Sequence, residues 1–317
     1  MKNIFLTGGA GFIGSHFANK LLENNFHVIT IDNFDPFYKR SLKEKNISLL
    51  CKYKNFKLIE GDIRDKYLLS DIFKKHEFDL IVHLAAKAGV RPSIEDPTGY
   101  FEVNVQGTIN ILEEMRKNKV SKMLIASSSS VYGNNKKIPF SESDNVDNPI
   151  SPYAASKKAC ELLCSTYNTL YGLDITAFRF FTVYGPAQRP EMAIAKFANL
   201  ILNDKPITLF DGKGSTSRDY TYIDDIVDGL YKSIDKLDGF KIYNIGESQG
   251  IKLIDLVGII EKNLNKKAEI IFGDKQPGDV DITFADVSKA KLELGYSPKI
   301  KIEDGIKRYV DWLILNK

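Results

Sequence analysis

The chain opens on NIFLT at 3–7, a near-continuous apolar run that marks a strand buried on both faces. From 13 to 24 the spacing changes, and apolar side chains return every three or four positions, as on a helix. The exchange repeats through the first half. VITI at 28–31, FKLIE at 56–60, LIVHL at 80–84, KMLIA at 122–126 and ITAFRF at 175–180 predict strands, and 104–117 and 153–171 predict helices. Strands that alternate with helices pair in parallel through right-handed crossovers. The predicted fold class is therefore α/β, a doubly wound parallel sheet of Rossmann type. Beyond 179 the pattern breaks up. Pro186, Pro190, Pro206, Pro277 and Pro298, with Gly212, Gly214, Gly273 and Gly278, punctuate it. Such a region suits a second, smaller C-terminal lobe that shapes a substrate pocket. Another strand at 243–245 is expected to return to the main sheet. The expected division is 1–178 as a dinucleotide-binding domain, with 222–246 returning to it, and 179–317 as mainly the substrate lobe.

The turn after the first strand reads TGGAGFIG at 7–14, a GxxGxxG pattern between a strand and a helix. Gly8 permits a tight turn, Gly11 lets the backbone approach a pyrophosphate, and Gly14 allows helix and strand to pack closely. The helix N-terminus then offers free N–H groups to phosphates. Asp32 ends the second strand. A carboxylate there accepts both ribose hydroxyls and repels a 2′-phosphate, which predicts NAD rather than NADP. Asp62, after the third strand, is either an adenine contact or a turn residue.

A second constellation lies further on. Tyr153 and Lys157 stand at i and i+4 of a predicted helix and share one face. An isolated phenol, with a pKa of about 10, is a poor base at neutral pH. A nearby ammonium and a nicotinamide cation stabilise a phenolate, which can then take a hydroxyl proton while hydride leaves the carbon. YxxxK alone is common on surface helices. Here the preceding strand runs into SSSSVYG at 127–133, and hydroxyls at a strand's C-terminal end sit where open α/β sheets bind ligands.

Composition narrows the classes. A hydrophobic share of 43% and a charged share of 27% support a large core and argue against disorder. The net charge of +3, from 44 basic and 41 acidic residues, predicts neither nucleic acid nor an anionic membrane as partner. Cys51, Cys160 and Cys164 are an odd count without a CxxC pair, so no disulfide framework is expected and the cytoplasm is the expected compartment. Cys160 and Cys164, four apart on a helix, read as small apolar side chains on a buried face. His16, His27, His76 and His83 lack zinc-ligand spacing, and no metal is expected. No run is apolar enough to span a bilayer and no basic leader precedes the first strand, which predicts a soluble, unexported protein.

These motifs together resemble the extended short-chain dehydrogenase/reductase family of nucleotide-sugar enzymes. The resemblance runs through TGGAGFIG, DN at 32–33, GDIRD at 61–65, HLAA at 83–86, NVQGT at 104–108, SSSSVYG, SPYAASK at 151–157, RFFTVYGP at 179–186, RDYTYIDD at 218–225 and QPGDV at 276–280. It implies Ser128, Tyr153 and Lys157 as the catalytic group, with Lys157 also holding the nicotinamide ribose. For NAD it implies Gly8, Gly11, Phe12, Ile13 and Gly14 at the turn, and Asp32 and Asn33 at the ribose. Asp62, Ile63, Leu84, Ala85, Ala86 and Asn104 complete the cofactor set.

Within the family, HLAAKAGVR at 83–91, ASSSSVYG at 126–133, RPEMA at 189–193 and DNFDPFYKRSLKEK at 32–45 are most similar to UDP-glucuronate 4-epimerases. The expected reaction is inversion at C4 of UDP-glucuronate through a 4-keto sugar. That ketone is β to the C6 carboxylate, so the site must hold the carboxylate out of alignment for CO₂ loss. Ser128, Ser129 and Thr182, with Arg189 as charge partner, are the expected holders. Lys87 and Arg91 are assigned to the substrate side as well. The resemblance implies Arg218 at the diphosphate and Asp279 at the uridine ribose; a salt bridge from Arg218 to Asp219 or Asp224 is the other reading. Two positions depart from the pattern, Lys87 in place of glutamine and Gln276 in place of the arginine common in hexose epimerases. Three alternatives stay open: a UDP-hexose or UDP-N-acetylhexosamine 4-epimerase; a UDP-glucuronate decarboxylase, against which Ser129 argues because those enzymes carry glutamate there; and an NAD(H)-binding scaffold without turnover. The family's habit also implies a homodimer, built from the helices near Asn104 and Tyr153.

Overall fold

The structure, a computed structural model, describes residues 2–210, 214–274 and 280–316. Its strands in chain order are β1 (Asn3–Thr7), β2 (His27–Asp32), β3 (Phe56–Glu60), β4 (Leu80–His83), β5 (Lys122–Ser128), β6 (Asp174–Phe180), β7 (Thr182–Tyr184), β8 (Ile207–Leu209), β9 (Ser217–Tyr222), β10 (Phe240–Ile245), β11 (Gly250–Lys252) and β12 (Ile270–Phe272). Seven of them form one sheet in the order β10-β6-β5-β4-β1-β2-β3, every neighbour parallel. The doubly wound expectation is met, and the strand foreseen at 243–245 joins the sheet as β10, at the edge beside β6.

β1 shows why the apolar run is continuous. Ile4 and Leu6 face one core, and Phe5 faces the other, all fully buried. A strand covered by helices on both faces has no solvent side to alternate toward. The strand order reverses between β1 and β4, which opens a crevice at the carboxyl ends of the strands.

The last third contributes two small sheets, β11-β9-β7 and β12-β8. β9 is fixed by Asp219, which is wholly buried. Its carboxylate accepts backbone N–H groups of Glu247, Ser248 and Ala285 and the Thr221 hydroxyl. Burial pushes its pKa up to about 6, although each of those bonds works the other way.

The helix predicted at 104–117 begins earlier and is not uniform. An α-turn at Pro97–Phe101 runs through a π-helical turn at Glu102–Gln106 into the α-helix Gly107–Lys117. Asn104 sits in the π turn, a feature frequent at functional sites. Cys160 and Cys164 lie unpaired in the core, where burial pushes both thiols up, as suits apolar packing. Among the described residues no helix is long and apolar enough to cross a membrane.

Candidate active site

A cleft of about 780 Å³ opens at the strand-order reversal, and its walls come from loops distant in sequence. The floor is the glycine turn. Gly8 has φ +78°, and a Cβ there would stand 2.8 Å from the Ala85 backbone nitrogen. A Cβ on Gly14 would stand 2.1 Å from the Gly8 carbonyl oxygen, so the close packing expected of Gly14 is met. Gly11 opens the helix Phe12–Glu23 as its N-cap. The cradle leaves its backbone bare at a helix N-terminus, as a pyrophosphate requires. Gly14→Ala is expected to abolish co-purification of bound dinucleotide, read from absorbance and fluorescence of the isolated protein.

Asp32, at the end of β2, is 7% exposed. Its two oxygens accept the N–H groups of Ala10 and Phe34, at 3.0 and 2.9 Å. Two hydrogen bonds leave lone pairs on a carboxylate, so Asp32 can brace the turn and still accept from a ribose. Asn33 donates to Asp62 at 2.9 Å. Burial opposes the Asp62 charge, but hydrogen bonds from Arg64 and Asn33 outweigh it and hold the carboxyl at about 2. Ile63, Leu84, Ala85 and Ala86 line the same cleft with Phe12 and Ile13. Beneath it His83, wholly buried, bonds Thr7 at 2.7 Å and Thr108 at 3.1 Å. Burial, aided by the Lys157 charge, lowers its pKa to about 3, so it is a neutral brace.

The reactive group occupies the opposite wall. The helix Pro152–Tyr171 starts where Ser151 accepts the Ala154 N–H and proline takes the first position. Tyr153 therefore stands in the first turn, beside the open cleft. One turn on, Lys157 is 5% exposed and donates to the Ala126 carbonyl at 2.7 Å. Ser128 ends β5, and its hydroxyl donates to the Ser130 Oγ at 3.0 Å. Ser128, Tyr153 and Lys157 line one cleft with the glycine turn, as do Ser129, Thr182, Lys87 and Arg189. The Arg189 guanidinium pairs with Glu191 at 3.0 Å, donates to the Ala88 carbonyl at 3.3 Å and lies 5.9 Å above the Phe37 ring. Lys87 pairs with Asp96 at 2.6 Å.

Three of the assigned side chains lie outside the cleft lining. Asn104 is 1% exposed and lies behind the wall. Its side chain bonds both backbone groups of Lys87, at 2.8 and 3.0 Å, and the Ser156 hydroxyl at 2.9 Å, so it positions the wall from behind. Arg91, on the helix Val90–Glu95, is exposed and lies over the Phe210 ring, 5.1 Å from its centre. Arg218 also stands outside the cleft lining, where its guanidinium donates to the carbonyls of Ser217 and Asp281. The Asp219 oxygens are taken by the bonds already described, and Asp224 pairs with Arg308 at 3.6 Å. Asp279, like Gln276, lies outside the described residues.

Other lining residues were not singled out from sequence. Ser130 completes the hydroxyl row. Pro36, Phe37 and Tyr38 enter through the loop after Asp32, and Lys43 from the helix Arg40–Ile47 that follows it. Lys43 is buried, with its ammonium on the Asp35 carbonyl and 4.9 Å above the Tyr38 ring. Burial, together with the Asp32 charge, pushes Tyr38 up to about 12, so it keeps its proton as a donor. The segment at 32–45, already part of the resemblance, was the available signal, since binding residues are often carried on loops.

The model of the family described as GDP-mannose 4,6 dehydratase matches residues 5–309. The chain is 44% identical over 313 residues to the UDP-glucuronate 4-epimerase of Thermodesulfobacterium geofontis, covering 98% of this chain and 96% of that one. This chain belongs to the extended short-chain dehydrogenase/reductase family of nucleotide-sugar epimerases. Among solved members of that family, the UDP-glucuronic acid 4-epimerase of Bacillus cereus, in complex with UDP-glucuronic acid and NAD, superposes with a TM-score of 0.94. It is 37% identical, over 99% of this chain and 100% of that one. The UDP-glucose 4-epimerase of Thermotoga maritima, with UDP-glucose, superposes with a TM-score of 0.92 at 32% identity, over 99% of both chains. The two scores nearly coincide, so the fold does not choose between the two sugars and local residues must.

Proposed function

We propose that this chain is an NAD-dependent UDP-sugar 4-epimerase that interconverts UDP-glucuronate and UDP-galacturonate. One observation carries the reading: Ser128, Tyr153 and Lys157 share one cleft with the bare glycine turn, Thr182 and Arg189. The turn, Asp32 and the Leu84–Ala86 wall fit the cofactor, which when bound supplies the hydride acceptor and then the donor at C4. Tyr153 takes the C4 hydroxyl proton and later returns it. Ser128 holds the same oxygen, and Lys157 provides the neighbouring positive charge. The resulting 4-keto sugar must turn about its diphosphate link to present its other face, so the cleft has to be roomier than one sugar ring.

The uronate assignment rests on Arg189 with Ser129, Ser130 and Thr182. A guanidinium and hydroxyls can fix a carboxylate away from the alignment that expels CO₂. Serine at 129, where decarboxylases carry glutamate, favours retention. Purified protein is to be incubated with UDP-glucuronate and UDP-glucose side by side. UDP-galacturonate is the expected main product; its absence defeats the substrate assignment, and CO₂ as the main product turns the reading to a decarboxylase. Arg189→Met removes a charged hydrogen-bond partner, a loss of about 1.5–3 kcal/mol. It is expected to lower kcat/KM for UDP-glucuronate roughly 10–100-fold while changing that for UDP-glucose little.

The same reading assigns 1–178, with 222–246, to the cofactor and 179–317 mainly to the sugar nucleotide. It also places the enzyme in the cytoplasm as a homodimer. Leu162, Leu170 and Tyr171 are exposed along the helix Pro152–Tyr171, as a helix-to-helix interface would need. A monomer mass by light scattering would remove the dimer.

A further inference from the structure

We propose that Tyr100 is a positioning residue for Tyr153, tied through the Ala88 carbonyl to Arg189. The proposal rests on the reading of Tyr153 as the proton-transfer residue. Tyr100 is 2% exposed yet lines the cleft, and the edge contact between its ring and that of Tyr153 spans 6.1 Å between centres, at 78°. Its hydroxyl donates to the Ala88 carbonyl at 3.0 Å. Burial, with smaller effects from neighbouring charges, pushes its pKa up to about 12, so the donor keeps its proton across the working range. The same carbonyl accepts from Arg189 at 3.3 Å, and the Lys87 ammonium lies 5.8 Å above the Tyr100 ring.

Two routes thus run from the 87–88 backbone to the first turn of the catalytic helix. On one, Asn104 holds both backbone groups of Lys87 and donates to Ser156, whose hydroxyl donates to the Tyr153 carbonyl at 2.8 Å. That route fixes the Tyr153 backbone. On the other, Ala88 anchors the Tyr100 hydroxyl and the Tyr100 ring braces the Tyr153 ring. A phenol held at both ends cannot swing off its proton-transfer line, and a small misplacement at a reacting group is costly. Arg189, held on the same carbonyl, is kept in register with the tyrosine that acts on the sugar it binds. Tyr100 acts through Tyr153, whose ring it meets edge-on.

The test compares Tyr100→Leu and Tyr100→Phe in the purified enzyme, with bound NAD and the thermal midpoint measured beside kcat and KM for UDP-glucuronate. Tyr100→Leu removes brace and tether, and kcat is expected to fall roughly 10–100-fold with KM changed less than about threefold and NAD retained. Tyr100→Phe keeps the brace and is expected to recover kcat to within about fivefold of the native value. If the leucine variant does not fold, Tyr100→Met, whose flexible chain fills the space without a ring edge, carries the same expectation. A folded, NAD-loaded variant without the ring that turns over normally overturns the proposal, as does a loss borne wholly by KM or a phenylalanine variant as slow as leucine. If Tyr153→Phe is inactive while Tyr100→Leu is native, this proposal alone falls. If Tyr153→Phe is active, the reading of the site falls with it.

Discussion

Tyr153→Phe is expected to lower kcat by about 10²–10⁴-fold while bound NAD is retained. The substitution deletes one oxygen. Phenylalanine keeps the ring edge against Tyr100, and the helix start set by Ser151 and Pro152 is untouched. The cofactor cradle at Gly8, Gly11 and Gly14 lies across the cleft and loses nothing. The loss, about 3–5 kcal/mol in the barrier, is therefore the proton transfer itself. Kinetics and NAD content measured on one preparation check it. Turnover within a few-fold of native would show that another group moves the C4 proton.

Glu161→Ala is expected to cost about 3–5 kcal/mol of stability, the largest loss foreseen for a single side chain outside the glycine turn. Glu161 and Arg179 are 3% and 1% exposed and joined by two parallel bonds, at 2.9 and 2.8 Å. Burial works against the Arg179 charge, and the Glu161 bonds outweigh it, so its pKa lies above the ordinary guanidinium value. Removing the carboxylate strands that charge in the core. The damage reaches the site, because Glu161 also accepts the Ser127 hydroxyl at 2.6 Å, one residue before Ser128. Arg179 further donates to Tyr132, which donates to Asn244 on β10, so the network spans three strands. A thermal midpoint lowered by roughly 5–10 °C is the expected reading. A pair of Met residues at 161 and 179 should cost less than Glu161→Ala alone, since no charge is then left unpaired. If the single variant melts as the native chain does, the pair contributes nothing.

Local patterns carried much of this site because local sterics and covalent spacing made it. The glycine turn is legible since only glycine fits where a Cβ would strike the Gly8 or Ala85 backbone. Tyr153 and Lys157 are legible since a helical spacing of four is itself a spatial statement. The continuous apolar strands gave the parallel sheet because burial on two faces removes alternation. Gly9 shows a limit: its Cβ would stand 2.0 Å from the Thr30 hydroxyl oxygen, a packing need that no motif announces.

Cationic side chains were the hardest to place. Arg91, Arg189 and Arg218 each belong to a segment that carries the resemblance, yet of the three Arg189 lines the cleft. A long flexible side chain at the end of a loop goes where distant carbonyls and rings receive it. The motif around Asn104 does not announce its partners, since Lys87 and Ser156 lie 17 and 52 residues away in sequence. Local spacing therefore specified the phosphate turn and the phenol–ammonium pair, each set within a few residues, and the alternation of strands with helices specified the class of sheet. How distant loops assemble settles which charges line the cleft, and that Tyr100 meets Tyr153 ring to ring while its hydroxyl shares the Ala88 carbonyl with Arg189. Those contacts depend on how separate crossovers stack at the strand-order reversal, where no local spacing reaches.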